Sequence, residues 1–163
     1  MRRVLHTLLS LVWGFWLGGL VMLFIAVQTL FNTFADRRTV AGEGASSIFR
    51  VFNYYHLSLA AAALLLAFLW WLAGRNGRKL TVFFLLALAT LAAAYVSGLL
   101  TPRLEHMRVE GLTQSDEFRR LHGLSMAIYL IETIIVFVTG IALPWAARLS
   151  ADRPRRTPAA LQI

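Results

Sequence analysis

Apolar residues fall along this chain in long blocks separated by short polar interruptions. Four blocks, at about 8–30, 54–73, 80–100 and 121–147, each supply the roughly 20 mostly apolar residues a helix needs to cross a bilayer. Between the second and third lies AGRNGRK (73–79), a short turn rich in glycine and charge. The first and third connections, 31–53 and 101–120, are longer. The pattern predicts an all-α integral membrane four-helix bundle occupying residues 1–147, followed by a basic tail at 148–163. The first block follows MRR and looks at first like a signal peptide. It runs from Leu8 to Phe31, beyond the roughly 7–15 residues of a signal core, and no A-x-A-type cleavage site follows closely. It reads as an uncleaved span.

The first long connection is more than a solvated linker. Phe31, Phe34, Val40, Ile48, Phe49, Val51 and Phe52 alternate with Arg37, Arg38 and Arg50. This mixture suits one or two short interfacial helices divided at Gly42-Glu43-Gly44, or a loop packed on the bundle.

Composition agrees with the blocks. Of 163 residues, 58% are hydrophobic and 15% charged, against about 45–50% and 25% for a soluble domain. The absence of cysteine excludes disulfides, thiolate metal sites and iron–sulfur clusters. The net charge of +8 changes the picture only through its distribution. The side holding both termini and the 74–79 turn carries nine Lys and Arg (Arg2, Arg3, Arg75, Arg78, Lys79, Arg148, Arg153, Arg155, Arg156) and one acid, Asp152. The two long connections hold seven arginines and six acids. This asymmetry predicts cytoplasmic N and C termini in a bacterial inner membrane, with anionic lipid headgroups rather than nucleic acid as the partner of the basic charge. The tail, SADRPRRTPAALQI, contains two prolines and a basic cluster and is expected to be disordered.

The polar residues within the apolar blocks carry the candidate chemistry. On the fourth span, a helical turn of 3.6 residues brings His122, Ser125, Tyr129 and Glu132 to one side, with Thr133 and Thr139 at its two margins. The rest of that span is mainly Leu, Ile, Val, Phe and Ala. A polar face of this kind turns to the bundle interior, because lipid offers it no partner. Glu132 is about 11 residues into the span, or ~16 Å, close to the midplane. There it suits a proton relay or a cation-coordinating group, or a protonated carboxyl pinning two helices. With the second span running inward, His56 is expected near its outer end, beside His122, Glu105 and His106. Imidazole and carboxylate together suit a transition metal, and two facing histidines suit haem, so these four residues form a candidate metal site. Interfacial helix capping is the alternative for each.

The first span carries WGFWLGG. Gly14 and Gly18 form a G-x-x-x-G pair suited to close helix packing, within the chain or in a homo-oligomer. Trp13 and Trp16 fit an interfacial belt or packing, and Trp70 and Trp71 close the second span in the same manner.

Taken together, WGFWLGG, RRTVAGEGASSIF at 37–49 and FRRLHGLSMAIYLIE at 118–132 resemble the transmembrane protein 205-like family. That family is a domain of unknown function in bacteria with eukaryotic relatives. The matching positions here are Trp13, Gly18, Gly19, Phe31, Arg38, Gly42, Phe49, His122 and Ser125. The resemblance implies a compact four-helix membrane domain without an established reaction. The opening span is also similar to copper-resistance membrane proteins and four-helix protoporphyrinogen oxidases. The chain has only Met1, Met22, Met107 and Met126 as soft ligands, however.

The leading reading is a small multi-pass membrane protein serving binding, transport or assembly through a polar bundle interior, without enzymatic turnover. The alternative is a membrane oxidoreductase or metalloprotein with haem or metal at the outer histidines. A small transporter with Glu132 as its coupling carboxyl is a third, and four spans imply that it would act as an oligomer. Hydrolase chemistry finds no support: Ser125 lies three residues from His122, but no acid is placed to orient that histidine.

Overall fold

The computed structural model describes residues 1–148, so the expectation for the tail falls, apart from Arg148, outside the described residues. Four helices long and apolar enough to cross a membrane run antiparallel to one another. They are α1 (Arg2–Thr33), α2 (Arg38–Leu72), a third built from α3 (Gly77–Tyr95), a π-helical turn (Val96–Leu100) and α4 (Thr101–Val109), and finally α5 (Asp116–Arg148). No strand occurs among the described residues. The helices close into a ring in the order α1, α2, α3, α5, with α5 returning beside α1, so that α2 and α5 face each other across the diagonal.

The core follows a seven-residue repeat. Buried positions are Leu9, Trp16, Leu20 and Leu23 on α1; His56, Ala60, Ala63, Ala67 and Trp70 on α2; Lys79, Val82, Leu86, Ala89 and Ala93 on α3; and Ser125, Glu132, Val136, Thr139, Leu143 and Ala146 on α5. Steps of three and four along each helix are the seam of a left-handed bundle. The alanines on α2 and α3 let those backbones approach closely, as membrane helix pairs require. Phe15, Phe24, Leu65, Phe84, Leu91, Leu130, Phe137 and Ile141 point outward and stay exposed, the surface expected of a protein bathed in lipid.

Each turn has its own chemistry. Asn76 caps α3, its side chain accepting from the Arg78 N–H at 3.0 Å. After α4, Gly111 takes φ +75°, and the N–H groups of Gly111 and Leu112 return to the carbonyls of Arg108 (3.0 Å) and Met107 (2.8 Å). This is a Schellman stop, which needs the left-handed residue that glycine supplies. Ser115 then starts α5 by accepting from the Phe118 N–H at 3.1 Å, and Asp116 and Glu117 sit favourably in the first turn.

Two helix boundaries differ from the sequence reading. The 31–53 connection forms neither a loop nor a separate interfacial helix. From Arg38 it is the beginning of α2, and the helix passes through Gly42 and Gly44 without a break. The reason is tertiary. Ala41 and Ala45 are buried, and a Cβ at Gly44 would lie 3.0 Å from Leu30, so α1 supports this extension on its small-residue face. The third span likewise does not stop at Thr101-Pro102. Pro102 has no N–H to give the carbonyl four residues back. The wider π turn before it, in which the Thr101 N–H reaches Val96, absorbs the mismatch and the helix continues to Val109.

Candidate functional site

The helix lengths set the depth of the site. Glu132 lies sixteen residues from each end of α5, or about 24 Å of helix in either direction. His56 lies near the middle of α2, because α2 begins sixteen residues before the apolar block does. The two side chains cross the bundle diagonal and meet, His56 Nε2 against Glu132 Oε1, in a contact shorter than an ordinary hydrogen bond. Both are fully buried. Trp16 on α1, 1% exposed, donates its indole N–H to the same Oε1 at 3.0 Å. Three helices therefore converge on one carboxylate oxygen. Phe52 stacks on the imidazole at 5.2 Å between centroids, and the rings of Tyr129 and Trp16 lie 5.9 and 6.0 Å from it. His56 Nδ1 and Glu132 Oε2 are buried without a hydrogen-bond partner among the described residues.

A histidine and a carboxylate in contact hold one proton in either of two ways, as imidazolium with carboxylate or as imidazole with carboxylic acid. Both arrangements are neutral overall, which is the condition for lodging two ionisable groups in a medium of low dielectric constant. The Trp16 N–H gives the same oxygen a second partner.

Above this pair, toward the end formed by the α1–α2 and α4–α5 connections, the interior remains polar. Asn53 Oδ1 accepts from the Tyr129 hydroxyl at 3.2 Å and from Ser97 Oγ at 3.1 Å. Ser97 belongs to the π turn, so the extra residue in that turn helps to present a hydroxyl to the interior. Further out, Glu105 accepts from Ser46 at 2.6 Å, Arg108 at 3.0 Å and Arg50 at 3.3 Å. Below the pair the lining changes to Ala60, Ala63, Val82, Leu86, Val136 and Leu143, all closely packed. Thr139 is buried there too, but its hydroxyl is spent on the carbonyl of Ile135 at 2.8 Å. The interior polar contacts thus lie on one side of the pair, set among buried apolar residues that include Leu20, Leu23, Val96, Leu100, Leu104 and Met107.

The residues singled out from sequence distribute as follows. Glu132 is central, Tyr129 lies in the layer next to it, and Ser125 is buried one further turn outward with its hydroxyl on the His122 carbonyl at 2.8 Å. His56 is not near His122: it points inward to Glu132. His122 is exposed and stacked on Phe118, His106 pairs with Glu110 at 3.2 Å, and Glu105 is held by its two arginines. The four candidate metal ligands are therefore dispersed, and among the described residues no three His, Asp or Glu side chains form a group able to hold a metal ion.

Trp13 and Trp16 are interior residues rather than belt residues. Trp13 donates to the Val136 carbonyl at 2.6 Å and packs against Gly140, where a Cβ would collide with the indole. Gly14 and Gly18 meet nothing in the chain: a Cβ at either would find no atom within 4 Å. Close approach is used instead at Gly140, under Trp13, and at Gly19, under Tyr55 and Phe52. The residues that sequence reading passed over are Trp16 as a partner of Glu132, and Asn53 and Ser97. Extending the heptad back from Ala60 through His56 to Asn53, and along α1 from Leu9 to Trp16, would have placed two of them inside.

No curated protein and no solved structure matches the chain. Residues 11–113 match a family model described as Domain of unknown function (DUF4149). The matched stretch contains Trp16, Asn53, His56 and Ser97, while Glu132 and Tyr129 lie beyond it. The match agrees with the resemblance in its broader part, a domain without an assigned reaction, and does not extend to the transmembrane protein 205-like family. With well over half of its residues covered by that model, this small multi-pass membrane protein belongs to the DUF4149 family.

Proposed function

We propose that this protein binds a proton at the His56–Glu132 pair and uses its polar bundle interior for proton-coupled binding or transport, with access from the Glu105 side. The observation that carries the reading is the pair itself: two fully buried ionisable groups in contact at mid-depth, reached by polar side chains from one end and sealed by alanine, valine and leucine at the other. Intramembrane ionisable residues are costly and mark ion or proton sites by default. A pair sharing one proton can gain or lose a second charge only with a change in its surroundings, which is what couples protonation to helix packing. In this proposal the termini are cytoplasmic, the Glu105 side faces outward across an inner membrane, and transport requires an oligomer. The finer kinship with the transmembrane protein 205-like proteins belongs to the same proposal. It rests partly on residues 118–132, beyond the matched stretch.

The test is infrared difference spectroscopy of the protein in liposomes across a pH step, read at the carboxyl C=O stretch. A band that appears in the wild type, vanishes in Glu132→Gln and moves in His56→Gln supports the reading. Spectra identical in wild type and Glu132→Gln exclude Glu132 as the proton-binding group and end it.

A further inference from the structure

The opposite end of the bundle poses a separate electrostatic problem. Six cations gather there: Arg2, Arg3, Arg75, Arg78, Lys79 and Arg148. The described acids lie elsewhere. Asp36, Glu43, Glu105, Glu110, Asp116 and Glu117 are at the far end, and Glu132 is at the centre. Every ion pair among the described residues is accordingly at the far end or at the His56–Glu132 contact. Arg75 and Arg78 spread over exposed or half-buried aromatic faces, Trp71 at 5.9 Å and Trp145 at 4.3 Å. Such cations need no further partner, because water and the aromatic ring serve them.

Lys79 differs, being only 1% exposed. Its ammonium has one hydrogen bond, to the Trp70 carbonyl at 3.3 Å, and lies 4.8 Å from the centre of the Trp70 ring. That leaves two of its three donors without an acceptor among the described residues. Instead of a carboxylate, its neighbour is a second cation. The point where a Cβ would stand on Gly74 lies 3.0 Å from the Arg2 guanidinium carbon and 3.2 Å from Lys79 Nζ, so the two charges converge on a position that glycine leaves bare. Arg2 is fixed there by donating Nε to the Ala73 carbonyl at 2.6 Å, which leaves its terminal nitrogens unused. Beside them His6, whose ring is 5.3 Å from that of Trp70, has a buried Nε2 with no partner among the described residues.

Two like charges are thus held together over Gly74, one of them withdrawn from water, with donors to spare among the described residues. A bound anion makes that arrangement favourable. Guanidinium and ammonium donors at the depth where apolar helix gives way to polar turn are matched to the tetrahedral oxygens of a phosphate. We infer that Arg2 and Lys79, over Gly74 and with His6 beside them, form a binding site for a phosphate-bearing anion. Its two possible sources are the headgroup of an anionic phospholipid and a soluble phosphate.

The test uses the full chain in a mild detergent, titrated separately with short-chain phosphatidylglycerol and with inorganic phosphate while the unfolding temperature is followed. A ligand that binds the folded form raises that temperature by an amount that grows with the logarithm of one plus the ratio of free ligand concentration to Kd. Arg2→Gln and Lys79→Gln are each expected to weaken the apparent affinity roughly tenfold. Arg3→Gln removes an equal charge from an exposed neighbour and is expected to leave the affinity within about twofold. Arg2 lies at the periphery and its replacement does not threaten folding, so the result stands even if Lys79→Gln proves unstable. Protection by phosphatidylglycerol alone assigns the site to a lipid headgroup, and protection by inorganic phosphate assigns it to a soluble ion. Protection by neither, or equal weakening by Arg3→Gln and Arg2→Gln, overturns the site and reduces this end to a diffuse basic surface.

Discussion

Replacing His56 and Glu132 by leucine, singly and together, measures how the buried pair is held. The structure fixes the order of the costs. Glu132→Leu strands two groups at once, Trp16 Nε1 and His56 Nε2. His56→Leu strands only the carboxyl group, which keeps Trp16. Breaking a buried ion pair from one side costs about 3–5 kcal/mol, and each neutral donor left unpaired about 1–3 kcal/mol. Glu132→Leu is therefore expected near the top of that range and His56→Leu near the bottom. The double variant removes both halves and leaves only the Trp16 N–H without its acceptor, so it is expected to cost less than Glu132→Leu alone. With single costs of about 5 and about 3 kcal/mol and a double cost below the larger of them, the resulting coupling is at least about 3 kcal/mol, whereas an ordinary interhelical hydrogen bond in a membrane averages about 0.6 kcal/mol. The assay is equilibrium unfolding of all four proteins in mixed detergent micelles. Additivity of the single changes within about 0.5 kcal/mol would refute the argument, because it would mean that the two side chains do not share a proton or a charge.

Two further expectations follow from packing and from the polar contacts beside the pair. Gly140→Val, whose Cβ has no room beside Trp13, is expected to destabilise the fold by about 2–3 kcal/mol in thermal unfolding, and Trp13→Leu in the same chain to recover part of that. Gly14→Val and Gly18→Val, which meet nothing, are expected to stay within about 0.5 kcal/mol of the wild type; a large loss at either would show that these glycines make contacts the single chain does not contain. Asn53→Leu removes the acceptor of both Tyr129 and Ser97 and is expected to cost about 2 kcal/mol in chemical unfolding while slowing the infrared response of Glu132 to a pH step. An unchanged response would separate Asn53 from the proton's route.

Much of this architecture is written in local pattern. The four apolar blocks, a short turn opening at residue 73 and the inward placement of Ser125 and Glu132 on the last span each depend on residues close together in sequence, and all are present in the fold, while His122 of the same face stays exposed. Glu132 was legible for the same reason: one acid within a long apolar run has few places to go. His56 was not. Hydropathy places the second span's start at 54, which makes His56 a mouth residue. The helix instead begins at Arg38, because α1 shelters the faces of Ala41, Gly44 and Ala45. That shift of sixteen residues moves His56 from the surface to the middle. The pairing with Glu132 then spans 76 residues and a bundle diagonal, distances over which periodicity carries no information. The tryptophans were legible only as a choice between belt and packing, and packing holds. Trp13 and Trp16 have the spacing of a belt, and only the glycine at 140 and the carboxylate at 132, both on another helix, make them interior.

The one-sidedness of the polar contacts has an electrical consequence. A charge at the position of Glu132 stands half-way across the insulating layer, with polar groups on one flank and only hydrocarbon on the other. Carrying one elementary charge through the whole membrane involves about 2.3 kcal/mol per 100 mV, so a proton delivered to mid-depth from one side feels about half of that. At ordinary resting voltages this is about 1 kcal/mol, enough to change the occupancy of the pair several-fold without any change in pH. Under the proposed reading, the sealed lower half makes the proton occupancy of the pair depend on membrane voltage.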